Sequence, residues 1–170
     1  MIRTTVASLR SIGLLAACFA FSSHAVADDC SNWDVSITQP GVDGSIYAIA
    51  ALPNGDLVAG GLFTTIGGID ASSIARFDGA SWHSMGDGMN GHVTTLEVLE
   101  SGELIAAGNF TMAGGEAANR IARWDGENWH PLGDGVNSTV RALEVMPNGD
   151  LIAAGNFTEA GGMAANHIAH

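Results

Sequence analysis

The sequence has no lysine and a single tyrosine among its 170 residues. All six basic residues are arginine, and they face 18 carboxylates, which gives a net charge of −12 at pH 7. A surface with this charge repels phosphate backbones and anionic membranes. We therefore expect no nucleic-acid partner.

Long apolar runs are also missing after the N-terminus, so the sequence predicts no membrane span. The first 27 residues have the parts of an export signal: a positive start, an apolar stretch too short to span a bilayer, and a small-x-small site. This pattern predicts cleavage between Ala27 and Asp28 and a secreted, periplasmic or cell-envelope protein. Lipidation at Cys18 is the alternative. The parts are Arg3 with Arg10, Ile12–Phe21 and Ala25-Val26-Ala27.

Cysteine is scarce, with two in the whole chain. Cleavage after Ala27 leaves Cys30 alone, which excludes an internal disulfide in the mature chain. An odd cysteine in an exported protein is compatible with pairing between molecules. Lipidation would instead begin the mature chain at Cys18.

Glycine is abundant, and it marks an internal repeat of 47 residues. Phe63, Phe110 and Phe157 recur at this interval, each followed by Thr and then by a glycine pair. Between 93–123 and 140–170, 21 of 31 aligned residues are identical. A fixed period in this range is typical of solenoids, propellers and arrays. We place the repeats at about 46–92, 93–139 and 140–170.

Each repeat is predicted to consist of four short β-strands. In Val140–Met146 the positions of Arg141, Leu143 and Val145 alternate with Glu144, as in a half-covered strand. Asn148-Gly149 then predicts a tight hairpin turn. A second strand follows at 151–157, then a loop with the glycine pair. In the repeat before, the third strand is predicted at Ile121–Trp124 and the fourth begins at Trp129. Four strands in 47 residues are typical of a propeller blade.

The two ends of the repeat array raise the question of closure. Residues 30–37, with Asn32-Trp33-Asp34, resemble a fourth strand placed ahead of the first repeat, and such a strand can complete the last blade of a propeller. Three blades are fewer than the four to eight of closed propellers. The alternatives are a fragment of a longer protein, a ring completed by self-association, or an open array. We expect the isolated segment 28–170 to self-associate.

The run from Gly108 to Gly135 resembles the kelch-related propeller repeats of secreted bacterial proteins and of the fungal cortical polarity marker. Its motif is Gly-x-Phe-Thr-x-x-Gly-Gly, then Ile-Ala-Arg-Trp-Asp-Gly-x-x-Trp, and the resemblance covers residues 30–170. It implies an all-β fold of propeller blades. For function it implies little beyond extracellular or surface-associated binding, because propellers host many activities.

Several repeated polar residues are candidates for a site. Asp87 and Asp134 lie in Gly-Asp-Gly loops and are candidate Ca²⁺ ligands, although one carboxylate per repeat falls short of the six to eight oxygens that calcium takes. The Asp78-Gly79 and Asp125-Gly126 pairs are predicted to be structural turns. Glycosylation sequons begin at Asn109, Asn137 and Asn156, and they matter only in a host that glycosylates.

The repeated Trp-His pairs and arginines also have structural interpretations. Neighbouring strand residues point to opposite faces, so Trp82 and Trp129 are predicted to pack between blades while His83 and His130 face solvent or another sheet. Arg76 and Arg123 are predicted to form a salt bridge or stacking contact within their blade. The histidines lack the spacing of a transition-metal site.

Together these patterns predict an exported, acidic binding or structural module without a cofactor. Repeats that keep the same residues in every copy argue against a catalytic site, which needs residues of its own. The alternative is a glycan-binding or glycan-cleaving propeller with its site in the loops of one face, since paired carboxylates for glycoside hydrolysis remain open. The ligand, protein or glycan, is not identified by the sequence.

Overall fold

The computed structural model describes residues 41–170. Several predictions fall outside this range: the export signal with its site at Ala27 and Asp28, Cys18, Cys30, and the strand at 30–37. Within residues 41–170 every regular element is a β-strand. The described part of the chain contains no helix with the length and hydropathy needed to cross a membrane.

Seventeen strands follow one another in the described range. Repeat 1 contains β1 (Ser45–Ala51), β2 (Leu57–Leu62), β3 (Thr65–Ile66), β4 (Ile69–Asp70), β5 (Ile74–Phe77) and β6 (Trp82–Ser84). Repeat 2 contains β7 (His92–Val98), β8 (Leu104–Asn109), β9 (Met112–Ala113), β10 (Glu116–Ala117), β11 (Ile121–Trp124) and β12 (Trp129–Pro131). Repeat 3 contains β13 (Val140–Val145), β14 (Leu151–Gly155), β15 (Glu159–Ala160), β16 (Met163–Ala164) and β17 (Ile168–Ala169).

In repeats 1 and 2 the four longer strands form one antiparallel sheet, as the sequence predicts for a propeller blade. The orders are β1-β2-β5-β6 in repeat 1 and β7-β8-β11-β12 in repeat 2, and repeat 3 has the three strands β13-β14-β17. The predicted strand Ile121–Trp124 and the start of the next strand at Trp129 are both confirmed. The all-β, propeller-type fold class is therefore confirmed.

The glycine pair is part of a small β-hairpin, so the prediction of a plain loop there is wrong. In repeat 1, β3 and β4 pair through Thr65 with Asp70 and Ile66 with Ile69. The two residues between them, Gly67 and Gly68, have φ angles of 60° and 84°. A two-residue turn with both φ values positive matches the right-handed twist of its strands, and glycine adopts it without steric cost.

A β-bulge interrupts the first strand of each repeat and changes which side chains are buried. In β13 the register shifts between Val140 and Ala142. Val140 and Leu143 are buried as a result, while Arg141 is exposed. The predicted alternation, which groups Arg141 with Leu143, is wrong because the bulge inserts an extra residue into the two-residue period.

The hydrophobic core lies mainly between neighbouring repeats. One buried cluster joins Val58 and Ile74 of repeat 1 to Val93, Leu96 and Trp129 of repeat 2. A second cluster joins repeat 2 to repeat 3 in the same way. We call the side of a repeat that packs on the preceding repeat its front face, and the opposite side its rear face. Each junction is thus a front face packed on a rear face, which is how stacked repeats bury apolar surface.

Candidate functional site

The tight turns between strands lie together at one edge of the sheets, which we call the turn face. Because the strands of each sheet are antiparallel, the turns at 52–56 and 78–81 of repeat 1 share this edge, as do 99–103 and 125–128 of repeat 2. The longer connections, with the small hairpins and the Gly-Asp-Gly loops, lie at the other edge, the loop face. Candidate binding surfaces are therefore of two kinds.

On the turn face, Asp78 and Asp125 organise their turns, which supports the structural role predicted for them. Oδ1 of Asp78 accepts hydrogen bonds from the backbone N–H groups of Ala80 and Ser81, both at 2.8 Å. Oδ2 lies 2.7 Å from Nε2 of His83. The backbone N–H of Ser81, then that of Ala80 and then His83 hold the pKa of Asp78 well below its usual value.

Asp125 repeats this arrangement in repeat 2. Its Oδ1 accepts from the N–H groups of Glu127 at 2.9 Å and Asn128 at 2.8 Å, and its Oδ2 lies 2.6 Å from Nε2 of His130. The N–H of Asn128, followed by that of Glu127 and by His130, lowers the pKa of Asp125 strongly. Each histidine is therefore engaged with a turn carboxylate at the protein surface.

The repeated arginines form ion pairs within their own repeats, as the sequence predicts. The guanidinium of Arg76 pairs with the carboxylate of Asp56, and that of Arg123 pairs with Glu103. In both repeats the pair links the third strand to the turn between the first two strands. These pairs fix the turns that line the groove described next.

A groove of about 520 Å³ lies between repeat 1 and repeat 2 toward the turn face. We call it the turn-face groove. Trp124, Arg76 and Asp125 line it together, with Asn54 and Ser101 among its other polar residues. Pro53 and Gly102, from the hairpin turns of the two repeats, meet beside it. The remaining lining residues are Leu52, Pro53, Ser84, Met85, Gly102 and Gly126.

Trp124 is held in place by Trp129, and Trp129 anchors the junction between the repeats. The two rings lie 5.1 Å apart at a tilt of 52°. Trp129 is buried, and its Nε1–H donates a 2.9 Å hydrogen bond to the carbonyl oxygen of Met85 in repeat 1. The prediction that this tryptophan packs between blades is confirmed. The contacts described for Trp82 are with Gly67 and Phe77 of its own repeat, so packing between blades stays a prediction for that residue.

The loop face carries a repeated side-chain clamp that the sequence analysis missed. Oδ1 of Asn90 accepts from the N–H groups of Thr111 at 2.8 Å and Met112 at 2.9 Å, and its Nδ2 donates to Oγ1 of Thr111 at 2.9 Å. Asp43 and Asn137 make corresponding contacts one repeat earlier and one repeat later. Each clamp ties the loop entering a repeat to that repeat's small hairpin. The recurrence of these three polar residues at intervals of 47 was the sequence signal that could have revealed the clamp.

A second repeated feature of the loop face is a residue in left-handed conformation. Ser73, Arg120 and His167 occupy equivalent positions with φ angles of 63°, 68° and 75°. The backbone N–H of each donates to the carbonyl oxygen of the phenylalanine that recurs in its own repeat. In repeat 2, the N–H of Arg120 donates to the carbonyl of Phe110 at 2.9 Å. Two open grooves on this face, of about 470 and 460 Å³, include Ser73 and Arg120 respectively. Nη1 of Arg120 donates to the carbonyl of Val136, while its Nε is buried without a hydrogen-bond partner among the described residues.

The candidate calcium ligands are single exposed carboxylates in the structure. Asp87 and Asp134 each lie between two glycines with positive φ. Their loops belong to successive repeats, and the described residues contain no group of three or more His, Cys, Asp or Glu that could hold a metal ion. Asp134 lines a loop-face groove together with Glu159.

The chain folds into antiparallel sheets, one for each 47-residue repeat, which stack face to face. This architecture defines a β-propeller repeat protein. A family model described as the Rax2 C-terminal beta propeller domain matches residues 29–128. The chain belongs to this family. No curated protein gives a match to it.

Proposed function

We propose that this chain is an exported binding module that holds its ligand in the turn-face groove. The observation that carries the proposal is the convergence of Trp124, Arg76 and Asp125 in a groove of about 520 Å³. Ligand sites have volumes of roughly 300 to 1,000 Å³ and combine apolar walls with a few placed polar groups. The export pattern of residues 1–27 supports a location in the cell envelope or outside the cell.

One residue that lines the groove differs between repeats 1 and 2. Trp124 in repeat 2 corresponds to Phe77 in repeat 1, and both rings pack on the tryptophan of the next strand. Only the repeat 2 member of this pair lines the turn-face groove. A ligand site in a repeat protein needs residues that distinguish it from the equivalent surfaces, and Trp124 differs from its repeat 1 counterpart, Phe77.

The proposal is tested with purified wild-type protein added back to the cells that export it. The amount bound is compared with that of Trp124→Leu and of the matched control Phe77→Leu. We expect binding to fall about tenfold or more for Trp124→Leu, as for other aromatic anchors, and to stay near wild type for Phe77→Leu. Equal binding by all three proteins would show that the groove is not the binding surface.

A glycan is the second candidate ligand, and the exposed part of the Trp124 ring favours it. Sugar rings pack on aromatic faces while their hydroxyls bond carboxylate, guanidinium and amide groups, all of which this groove supplies. Asp125 is held as an anion by its turn, which favours binding over cleavage because a glycosidase acid must carry a proton. We further propose that binding needs no metal ion.

An array of immobilised oligosaccharides tests this candidate with the same three proteins. Retention of wild type and Phe77→Leu, with loss of Trp124→Leu, supports a glycan site in the groove. The signal should survive a chelator. Release of free sugar from the array would support the glycan-cleaving alternative instead.

A further inference from the structure

The two open grooves of the loop face share equivalent positions of successive repeats but differ in charge. Four lining positions recur at the interval of 47 residues: 72, 73, 89 and 90 in one groove, and 119, 120, 136 and 137 in the other. The first groove has Ser73 where the second, which we call the Arg120 groove, has arginine. Asp134 and Glu159 also line the Arg120 groove. This groove therefore combines one cationic and two acidic side chains.

The backbone of Arg120 has a conformation that arginine rarely adopts. Its φ of 68° lies in the left-handed region, which glycine and asparagine enter far more easily. Its N–H donates to the carbonyl oxygens of Phe110 and Ala118, both at 2.9 Å, and these bonds hold the backbone there. Ser73 shares the conformation, so the fold requires the φ angle but does not require arginine. The arginine side chain itself needs another explanation.

The described residues satisfy the guanidinium of Arg120 only in part. Nη1 donates to the carbonyl oxygen of Val136 at 3.0 Å, whereas Nε is buried without a hydrogen-bond partner among residues 41–170. A buried donor without an acceptor carries its full desolvation penalty. Arg76 and Arg123 differ from Arg120 because each pairs with a carboxylate. Arg120 thus retains donor capacity that an added acceptor would use.

The two carboxylates of the groove are also available. No ion pair within the described part of the chain includes Asp134 or Glu159, and both residues are exposed. Their backbones are fixed instead. The carbonyl oxygen of Asp134 accepts from Nδ2 of Asn119 at 3.0 Å, and the N–H of Glu159 donates to Oδ1 of Asn137 at 3.1 Å. The groove therefore presents acidic side chains on well-held loops.

We propose that the Arg120 groove binds a small zwitterion, a free amino acid or short peptide, whose carboxylate pairs with Arg120 and whose ammonium group pairs with Asp134 or Glu159. The acidic side chains repel a purely anionic ligand, and the guanidinium repels a purely cationic one. The net charge of −12 adds to the repulsion of anions. The groove volume of about 460 Å³ lies within the roughly 300 to 1,000 Å³ of ligand sites.

The bound carboxylate gives the unpaired nitrogen of Arg120 an acceptor. Once the guanidinium turns toward the groove, a carboxylate accepts Nε–H and an Nη–H together in a bidentate pair. Relief of the unpaired donor then favours the ligand-bound arrangement. The Arg120 groove lies at the opposite edge of the sheets from the turn-face groove, so the two sites hold or fail independently.

An NMR titration of the mature exported protein, followed by its amide chemical shifts, tests the ligand chemistry. The probes are triglycine, which has both charged termini, N-acetyltriglycine, which lacks the ammonium group, and triglycine amide, which lacks the carboxylate. We expect triglycine to bind in the millimolar range or more tightly, and each blocked peptide to bind about tenfold or more weakly. Glycine distinguishes a free amino acid from a peptide as the ligand, and binding of either zwitterion supports the proposal.

Variants of the lining residues test the site itself. Arg120→Ser should weaken triglycine binding about tenfold or more, and it keeps the fold because Ser73 is native at the equivalent position. The double variant Asp134→Asn, Glu159→Gln should weaken binding to a similar extent, because it removes both partners of the ammonium group. Asp87→Asn is the matched control, since Asp87 is the repeat 1 counterpart of Asp134. This control should bind like wild type.

Four results would overturn the proposal. They are no chemical-shift change with either zwitterion in the millimolar range, binding of a blocked peptide as tight as that of triglycine, unchanged binding by Arg120→Ser, and equal weakening by Asp87→Asn and by the double variant. The last result would show that overall charge, and not this groove, governs the interaction.

Discussion

The indole nitrogen of Trp129 donates its hydrogen bond to the carbonyl oxygen of Met85, 44 residues earlier and across the boundary between two repeats. Its ring fills the space beside Gly114 and reaches Gly86 of the preceding repeat. One side chain therefore contributes buried apolar area and a polar contact to the same junction. This combination makes the junction specific as well as stable.

Trp129→Ala is expected to cost about 3 to 5 kcal/mol of unfolding free energy, as for other large buried aromatics. His130→Ala should cost far less, because the ring of His130 is half-exposed and hydrogen-bonds to the carboxylate of Asp125 at the surface. Urea unfolding followed by circular dichroism measures both. Small and equal losses would mean that the tryptophan does not hold the junction.

Asp43→Asn is expected to be nearly neutral at pH 7, because asparagine fills the same clamp in the other two repeats. Hydrogen bonds from Thr64 and Thr65 lower the pKa of Asp43 from 3.8 to about 2. A lowered pKa means that this carboxylate stabilises the fold above about pH 3.8, and that the contribution is lost as the pH falls through about 2. The variant should therefore lose less stability than wild type between those values. Urea midpoints at several pH values check this, and parallel acid profiles would contradict it.

Glu97→Gln is expected to stabilise the protein at neutral pH. Burial, and secondly the nearby charge of Glu144, raise the pKa of Glu97 above 4.5. A raised pKa means that the folded state binds the proton more tightly, so the penalty is present at neutral pH and disappears below about 4.5. Thermal unfolding at neutral and acidic pH should show a gain only at neutral pH. Glu144→Gln, which removes the second cause alone, should give a smaller gain.

His167→Gly is expected to raise stability by about 0.5 to 1 kcal/mol, because a left-handed residue other than glycine carries a steric cost. His167 has a φ of 75° and an exposed side chain, so little packing is lost. Its N–H donates to Phe157, which holds the backbone in place. His167→Ala, which keeps the Cβ, should show no such gain. A gain of the same size in both variants would exclude the conformational explanation.

Export is expected to yield a mature chain that begins at Asp28. The reason is the Ala25-Val26-Ala27 site at the end of an apolar segment too short to cross a bilayer. Intact-mass spectrometry of protein recovered outside the cytoplasm measures the N-terminus directly. A lipid-modified species beginning at Cys18 would contradict this prediction.

The blades were predictable because the sequence itself shows the period of 47 residues and the recurring residues that form its turns. Trp124 and Trp129 flank an Asp-Gly turn, and the strand limits there agree with the structure. The small hairpins were not predictable in this way, since strands of two residues such as Thr65–Ile66 show no alternation. The bulge at Arg141 was missed for a related reason. A single added residue moves the side chains that precede it in the strand to the opposite face of the sheet.

The turn-face groove was beyond sequence reasoning, because its walls come from different repeats. Asn54 and Asp125 are far apart in the chain and meet only when repeat 2 packs on repeat 1. Spacing within one repeat carries no information about that approach. The clamp was different: Asp43, Asn90 and Asn137 recur at the full period, and aligning the three repeats at these polar positions would have found it.

The clamp of Asn137 has a consequence for biosynthesis. Asn137 begins the sequon Asn137-Ser138-Thr139, yet in the folded chain its Nδ2 donates to Oγ1 of Thr158. A glycosyltransferase must reach that same nitrogen, which the folded clamp holds against the β15–β16 hairpin, so attachment is slower once the clamp has formed. In a host that glycosylates, a glycan on Asn137 would therefore be added mainly to molecules in which repeat 3 had not yet folded. Occupancy of this one asparagine would thus report on the relative timing of modification and folding.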